Sequence, residues 1–267
     1  MEYKVKLKSV VVLYKEIHQI YEVLMKRLLD KWYSPRLRKN MEIVTYGDYG
    51  LPLLMFPSAA ADYLEYERFY LIASIKKEIE AGKVKVFSIN SINSESWLNS
   101  NIKPKAKAIR HQEYNGYITE EVVPYIFNSC KGVVPIITSG VSLGAFHAVN
   151  SLFRRPDLFS GTIAMSGTYN LKWYADGYWD ENCFYNSPVH YLPGMNDDYW
   201  LPKLQSRKNI YFMTGQGPYE HPQSSIEMGK LLGSKGIPNY VDVWGKEYSH
   251  DWPTWREMLP SALNRWF

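Results

Sequence analysis

Gly140-Val141-Ser142-Leu143-Gly144 follows the apolar run Val133 to Ile137 and precedes Ala145-Phe146-His147-Ala148-Val149, a stretch of helical character. A serine on so abrupt a strand-to-helix turn has a strained backbone, and small residues two before and two after it prevent collision of the flanking chain. A hydroxyl displayed in this way becomes a nucleophile when a neighbouring imidazole takes its proton. The same turn sets the N–H of Leu143 at a helix N-terminus, where it can donate to charge developing on a carbonyl oxygen. A second donor is expected from a loop after an earlier strand. Phe56-Pro57-Ser58-Ala59-Ala60-Ala61 fits, because small residues allow close backbone approach, and the sequence leaves Ser58 and Ala59 both open as the donor. Ordinary turns contain such patterns too; the place of Ser142 between a buried strand and a helix sets it apart.

Behind such a serine the acid and then the histidine follow in chain order, the histidine after the last strand. Of six histidines, only His190, His221 and His250 lie well downstream, and only His250 follows the final strand-like run, Tyr240 to Trp244. Ser249-His250-Asp251-Trp252-Pro253 reads as a turn and a helix start. A neutral imidazole there can take the serine proton and return it to the leaving group. His147 lies five residues past the serine and, on a helix, projects elsewhere; it reads as packed or solvated. His18 and His111 precede the serine and fit no role. The acid belongs on the loop after Ile210 to Met213, where Glu220 is the sole carboxylate before His221. Glu220 is therefore assigned to orient the imidazolium, although glutamates near helix starts also serve as N-terminal charges. Asp242 within a strand and Asp251 beside His250 are poorly placed, whereas Asp176 and Asp180 stand as alternatives on the preceding loop.

These residues need a scaffold, and the chain supplies one. Short apolar runs at Met41 to Tyr46, Leu51 to Phe56, Val84 to Ile89, Val133 to Ile137, Thr162 to Met165, Ile210 to Met213 and Tyr240 to Trp244 alternate with helical stretches. That alternation predicts an α/β fold, a largely parallel central sheet with helices on both faces. Helices are expected over Tyr63 to Ala81, Thr119 to Asn128, Ser142 to Phe153 and Pro222 to Lys235, most with glycine or proline near the stop. Asn90 to Gln112 and Tyr169 to Pro202 are poor in pattern and read as long loops around the site. Residues 1–25 form a distinct opening piece, packed on or appended to a single catalytic domain over 26–267.

Composition narrows the class further. The 267 residues are 46% hydrophobic and 22% charged, as in soluble globular chains, with a net charge of only +4. Spread basic residues are a solvated surface and do not make a nucleic-acid footprint. Two cysteines, Cys130 and Cys183, provide neither a disulfide framework nor metal spacing and fit a cytoplasmic setting. The longest early apolar run, Val10 to Tyr14, is too short for a signal core or a membrane span.

Beyond Ser142, the run Gly140 to Gly144 continues with Ala148-Val149-Asn150, then Arg155-Pro156-Asp157-Leu158-Phe159, Met165-Ser166-Gly167, Lys235-Gly236-Ile237-Pro238, His250-Asp251-Trp252-Pro253 and Trp255. In these motifs the sequence from about Lys31 to the C-terminus resembles the esterase D-type family of esterases, relatives of feruloyl esterases, enterochelin esterases and mycolyltransferases. The resemblance implies an α/β-hydrolase fold and carboxylic ester hydrolysis with neither a metal nor an organic cofactor. The chain departs from the family where an aspartate is often found, at Pro218 and Tyr219, and residues 1–25 have no counterpart. The expectation is a serine carboxylesterase acting on small-molecule esters, short-chain or aryl, with an acyl-enzyme on Ser142. Acyl transfer to an alcohol or thiol is the alternative within the same chemistry. A carbohydrate-binding or scaffold protein is the alternative outside it, suggested by aromatic residues such as Trp97, Tyr169, Trp173 and Trp179 in the loops.

Overall fold

The computed structural model describes residues 25–266. Apart from Met25, the opening piece expected for residues 1–25 lies outside them, as does His18. One eight-stranded sheet runs in the order β1-β2-β4-β3-β5-β6-β7-β8. Its strands are β1 (Arg27–Ser34), β2 (Lys39–Tyr46), β3 (Leu51–Phe56), β4 (Val84–Ile89), β5 (Ile136–Val141), β6 (Phe159–Met165), β7 (Asn209–Thr214) and β8 (Tyr240–Val243). β2 is antiparallel to both β1 and β4, and every pairing from β4 to β8 is parallel.

Parallel strands need crossovers, and crossovers cover both faces of the sheet. β3 shows the result: Leu54 and Phe56 enter one buried cluster with Ala145, Val149 and Met228, while Leu53 and Met55 enter another with Ile72, Ile79, Trp255 and Leu259. Alternating residues of one strand thus serve two cores. This is why the central strands read as unbroken apolar runs.

Several boundaries differ from the sequence reading. The stretch expected as one helix over 63–81 is three short ones, Glu65–Arg68, Leu71–Ser74 and Lys76–Glu80, broken where Tyr70 takes a left-handed φ of 63°. One straight helix presents a single stripe to the core, whereas the breaks turn Tyr66, Leu71, Ile72, Ile75 and Ile79 all inward. The segment expected as irregular over 90–112 contains most of a 14-residue helix, Pro104–Tyr117. Its low amphipathicity hid it: Lys107 and His111 are buried alongside Ala108 and Tyr114. That helix passes through a wide π turn at Ile118–Val122 into Val123–Ser129, which begins around Pro124, a residue with no N–H to contribute. The strand expected from Val133 starts at Ile136 instead; Val133 is 85% exposed, and Pro135 cannot donate to a ladder. β1 went unpredicted because it is an exposed antiparallel edge, with Leu28, Leu29 and Tyr33 facing solvent. Residues 169–202 carry only short helical turns, as a loop reading allows. No helix among the described residues is long and apolar enough to cross a membrane.

Candidate active site

Ser142 sits between the end of β5 and the helix Leu143–Arg154, with φ 55° and ψ −122°. A side chain in that region is strained, and strained backbone of this kind accumulates at functional sites. Space explains the flanking glycines. A Cβ on Gly140 would lie 2.3 Å from the Gly144 carbonyl carbon, and one on Gly144 would lie 2.2 Å from the Phe56 oxygen and 2.7 Å from that of Pro57. The turn can therefore close only with glycine at both positions, and Gly144 rests directly against the end of β3.

His250 reaches the serine from the loop after β8, its Nε2 3.0 Å from Ser142 Oγ. The backbone fixes that loop against the one after β7: His250 N–H donates to Pro218 O at 3.0 Å and Gly217 N–H to Tyr248 O at 2.9 Å. Glu220 comes from the β7 loop, its carboxylate fully buried, with Oε2 3.8 Å from His250 Nδ1. That is ion-pair distance, longer than a hydrogen bond. Ser166 Oγ donates to Glu220 Oε1 at 2.5 Å and Thr214 Oγ1 to Oε2 at 3.0 Å. Trp255 Nε1 in turn donates to Ser166 Oγ at 2.9 Å. Burial works to raise the Glu220 pKa, but the imidazole and the two hydroxyls outweigh it and keep the carboxyl below the usual glutamate range.

The other carboxylates considered are engaged elsewhere. Asp242 pairs with Arg265 at 3.3 Å, Asp176 with Lys107 at 2.7 Å, Asp180 caps the turn at Cys183, and Asp251 bonds to the Trp252 N–H at the head of the last helix. His190 meets Ser187, and His221 stacks edge-on against Trp173. His147 and His111 are buried in the core.

On the opposite side of Ser142, Leu143 heads its helix, so its amide has no intrahelical acceptor. The two residues left open after β3 separate clearly. Ser58 N–H donates to Glu65 Oε2 at 2.8 Å and Ser58 Oγ to Oε1 at 2.5 Å, which commits that amide to structure. Ala59 is exposed and its amide is free of such a bond. The carbonyls of both residues accept from Asn93 Nδ2, at 3.2 Å and 2.7 Å. Sequence reasoning did not find Glu65, Asn93 or Thr214, because no spacing links them to Ser142; Ser166 and Trp255 appeared only within the resembling motifs.

A parallel sheet that delivers a strained serine from its fifth strand, with a histidine from the loop after its eighth strand in contact, defines an α/β-hydrolase. The profile of the family described as "Putative esterase" matches residues 79–266. The chain belongs to that family and is a carboxylic ester hydrolase. A ferulic acid esterase has a similar structure, with a TM-score of 0.70 at 18% identity over 91% of this chain and 99% of the other. So does the fluorophosphonate-binding serine hydrolase F of Staphylococcus aureus, at TM-score 0.67 and 15% identity over 90% and 98%. MPT51 of Mycobacterium tuberculosis has a TM-score of 0.60 at 12% identity over 88% and 97%. No curated protein sequence matches the chain.

Proposed function

We propose that the protein is a serine carboxylesterase that works through an acyl-enzyme on Ser142. His250 is the general base that takes the serine proton as the hydroxyl attacks the ester carbonyl and passes it to the leaving alcohol. In the second half it activates water, which releases the acid. Glu220 orients the ring and stabilises the imidazolium. The N–H groups of Leu143 and Ala59 bind the oxyanion. The observation that carries this reading is the 3.0 Å contact between His250 Nε2 and a serine held at positive φ.

Short-chain or aryl esters are the substrates this reading favours. Trp252 stacks on Phe69 at 4.4 Å close behind His250 in sequence, and a cavity of about 490 Å³ lined by Trp173, Val189, His221 and the Glu220 loop opens beside the acid. In that cavity Trp173 and Val189 supply apolar surface among the polar side chains of Asn170, His221 and Gln223, a lining suited to a small ester. A cytoplasmic location is part of the same reading, on the ground that Cys130 and Cys183 are free thiols. A p-nitrophenyl ester series from acetate to palmitate, run with wild type and Ser142→Ala, tests the proposal. Activity lost in the mutant and greatest on short or aryl esters is expected; equal activity in both proteins would remove Ser142 from the mechanism.

A further inference from the structure

The histidine five residues beyond Ser142 takes no part in the chemistry above, yet it is joined to it by hydrogen bonds. Asn93 is fully buried, and its carboxamide nitrogen bonds to the carbonyls of Ser58 and Ala59. Two carbonyl partners identify that end of the amide as nitrogen. Its oxygen is therefore the atom 2.7 Å from His147 Nε2. An amide oxygen only accepts, so Nε2 carries the hydrogen and, in a neutral ring, Nδ1 is a bare acceptor. Burial keeps the ring neutral by driving its pKa down to about 3.

The neighbouring ring has the complementary state. Trp97 Nε1 lies 2.8 Å from His111 Nδ1, and an indole only donates, so His111 bears its hydrogen on Nε2. On these two rings the nitrogens left without a hydrogen-bond partner are thus one donor, His111 Nε2, and one acceptor, His147 Nδ1. They belong to perpendicular rings 5.1 Å apart between centroids. Trp97 donates to His111, while His147 donates to Asn93 and Asn93 to the carbonyls of residues 58–59; no hydrogen bond joins the two imidazoles. Trp97 also packs in one cluster with Leu143 and Phe146.

We propose that His147 is a positioning residue for the oxyanion loop: its Nε2–H fixes Asn93, and Asn93 holds the Ser58 and Ala59 carbonyls so that the Ala59 N–H stays aimed at the substrate oxygen. The inference rests on the reading of residues 57–61 as that loop. Glu65 grips the N–H and hydroxyl of Ser58 while Asn93 grips the carbonyls, so the loop is held by both its donors and its acceptors.

Steady-state hydrolysis of p-nitrophenyl acetate by the full chain, with Ser142→Ala, His147→Leu, His147→Gln and Asn93→Asp, tests it. Glutamine keeps an amide donor near the Nε2 position and leucine does not, while aspartate matches asparagine in shape but sets an oxygen against two carbonyls. The expected result is a kcat lowered about 10- to 100-fold in His147→Leu and Asn93→Asp, with KM within about twofold, and recovery to within about threefold of wild type in His147→Gln. A folded His147→Leu or Asn93→Asp protein with wild-type kcat overturns the inference, as does a loss confined to KM or a glutamine variant no better than leucine. If His147→Leu fails to fold, the Gln and Asp variants decide by the same criteria. Activity surviving in Ser142→Ala would instead sink the reading of Ser142 as the nucleophile, whereas a dead Ser142→Ala beside fully active His147 variants sinks only this inference.

Discussion

The two sides of Ser142 are built differently. On the proton-handling side, His250 keeps about a quarter of its side chain exposed, its Nδ1 has no hydrogen-bond partner, and the Glu220 oxygen stands 3.8 Å away. On the side proposed to bind the oxyanion, residues 58–59 are tied by hydrogen bonds to Glu65 and Asn93, both buried. The contrast follows from the tasks. An imidazole must exchange its proton among serine, leaving group and water, and contacts of this kind commonly tighten only when substrate arrives. Donors to an oxyanion gain most when they need no rearrangement as charge develops. Rigidity is therefore concentrated where charge must be met and relaxed where a proton must travel.

Substitutions on each side can break or sharpen that contrast. The largest effect is expected from the shared centre: Ser142→Ala or His250→Ala should lower kcat by about 10⁴-fold or more, and combining them should add little further, because the pair acts as a unit. A double mutant much worse than either single, measured on p-nitrophenyl acetate, would show that the two do not act together. Next, Glu220→Gln should cost about 10²- to 10⁴-fold in kcat if the 3.8 Å gap closes during turnover. A loss below about threefold would mean that the gap stays open and the ring needs no acid. On the rigid side, Glu65→Gln replaces one carboxylate oxygen with an amide group that cannot accept from Ser58, and kcat should fall about tenfold with KM little changed. An equal fall in fluorophosphonate labelling rate would place that loss in the acylation step.

The smallest expected effect concerns pH and stability. The folded pKa of Glu220 lies below the ordinary glutamate value, so its contribution is fully present above about pH 4.3 and is lost as pH falls through the lowered folded value. The stability difference between wild type and Glu220→Gln, measured by urea unfolding, should accordingly shrink as pH is taken from about 6 to about 3. A difference that grows on acidification would reverse the sign and mean that burial dominates the Glu220 environment.

How much of this was legible in sequence depends on which physics each residue obeys. Ser142, His250 and Glu220 stand at strand ends, and strand ends are marked by apolar runs and turn residues, so local pattern located them and the structure brings them together. β3 through β8 were legible for the same reason, to within a few residues at their ends. Asn93 and His147 are polar residues whose partners are distant in the chain, lying 54 positions from each other. No period or spacing records such a pair. The 104–117 helix was missed because it buries a lysine and a histidine in place of an apolar stripe, and β1 because an exposed edge strand has no apolar face to reveal it. The proposal of Ala59 over Ser58 as donor rests on a hydrogen bond from the Ser58 N–H to Glu65, which only the folded chain can form.

The contact of Gly144 with the Phe56 and Pro57 carbonyls has an evolutionary consequence. Because the helix behind Ser142 leans on the strand end that launches the proposed oxyanion loop, a change that shifts one displaces the other, and drift in either half is penalised twice. Residues 169–202 share part of that constraint, because Leu171, Ala175 and Cys183 pack in one cluster with Leu143 and Phe146 at the head of the same helix.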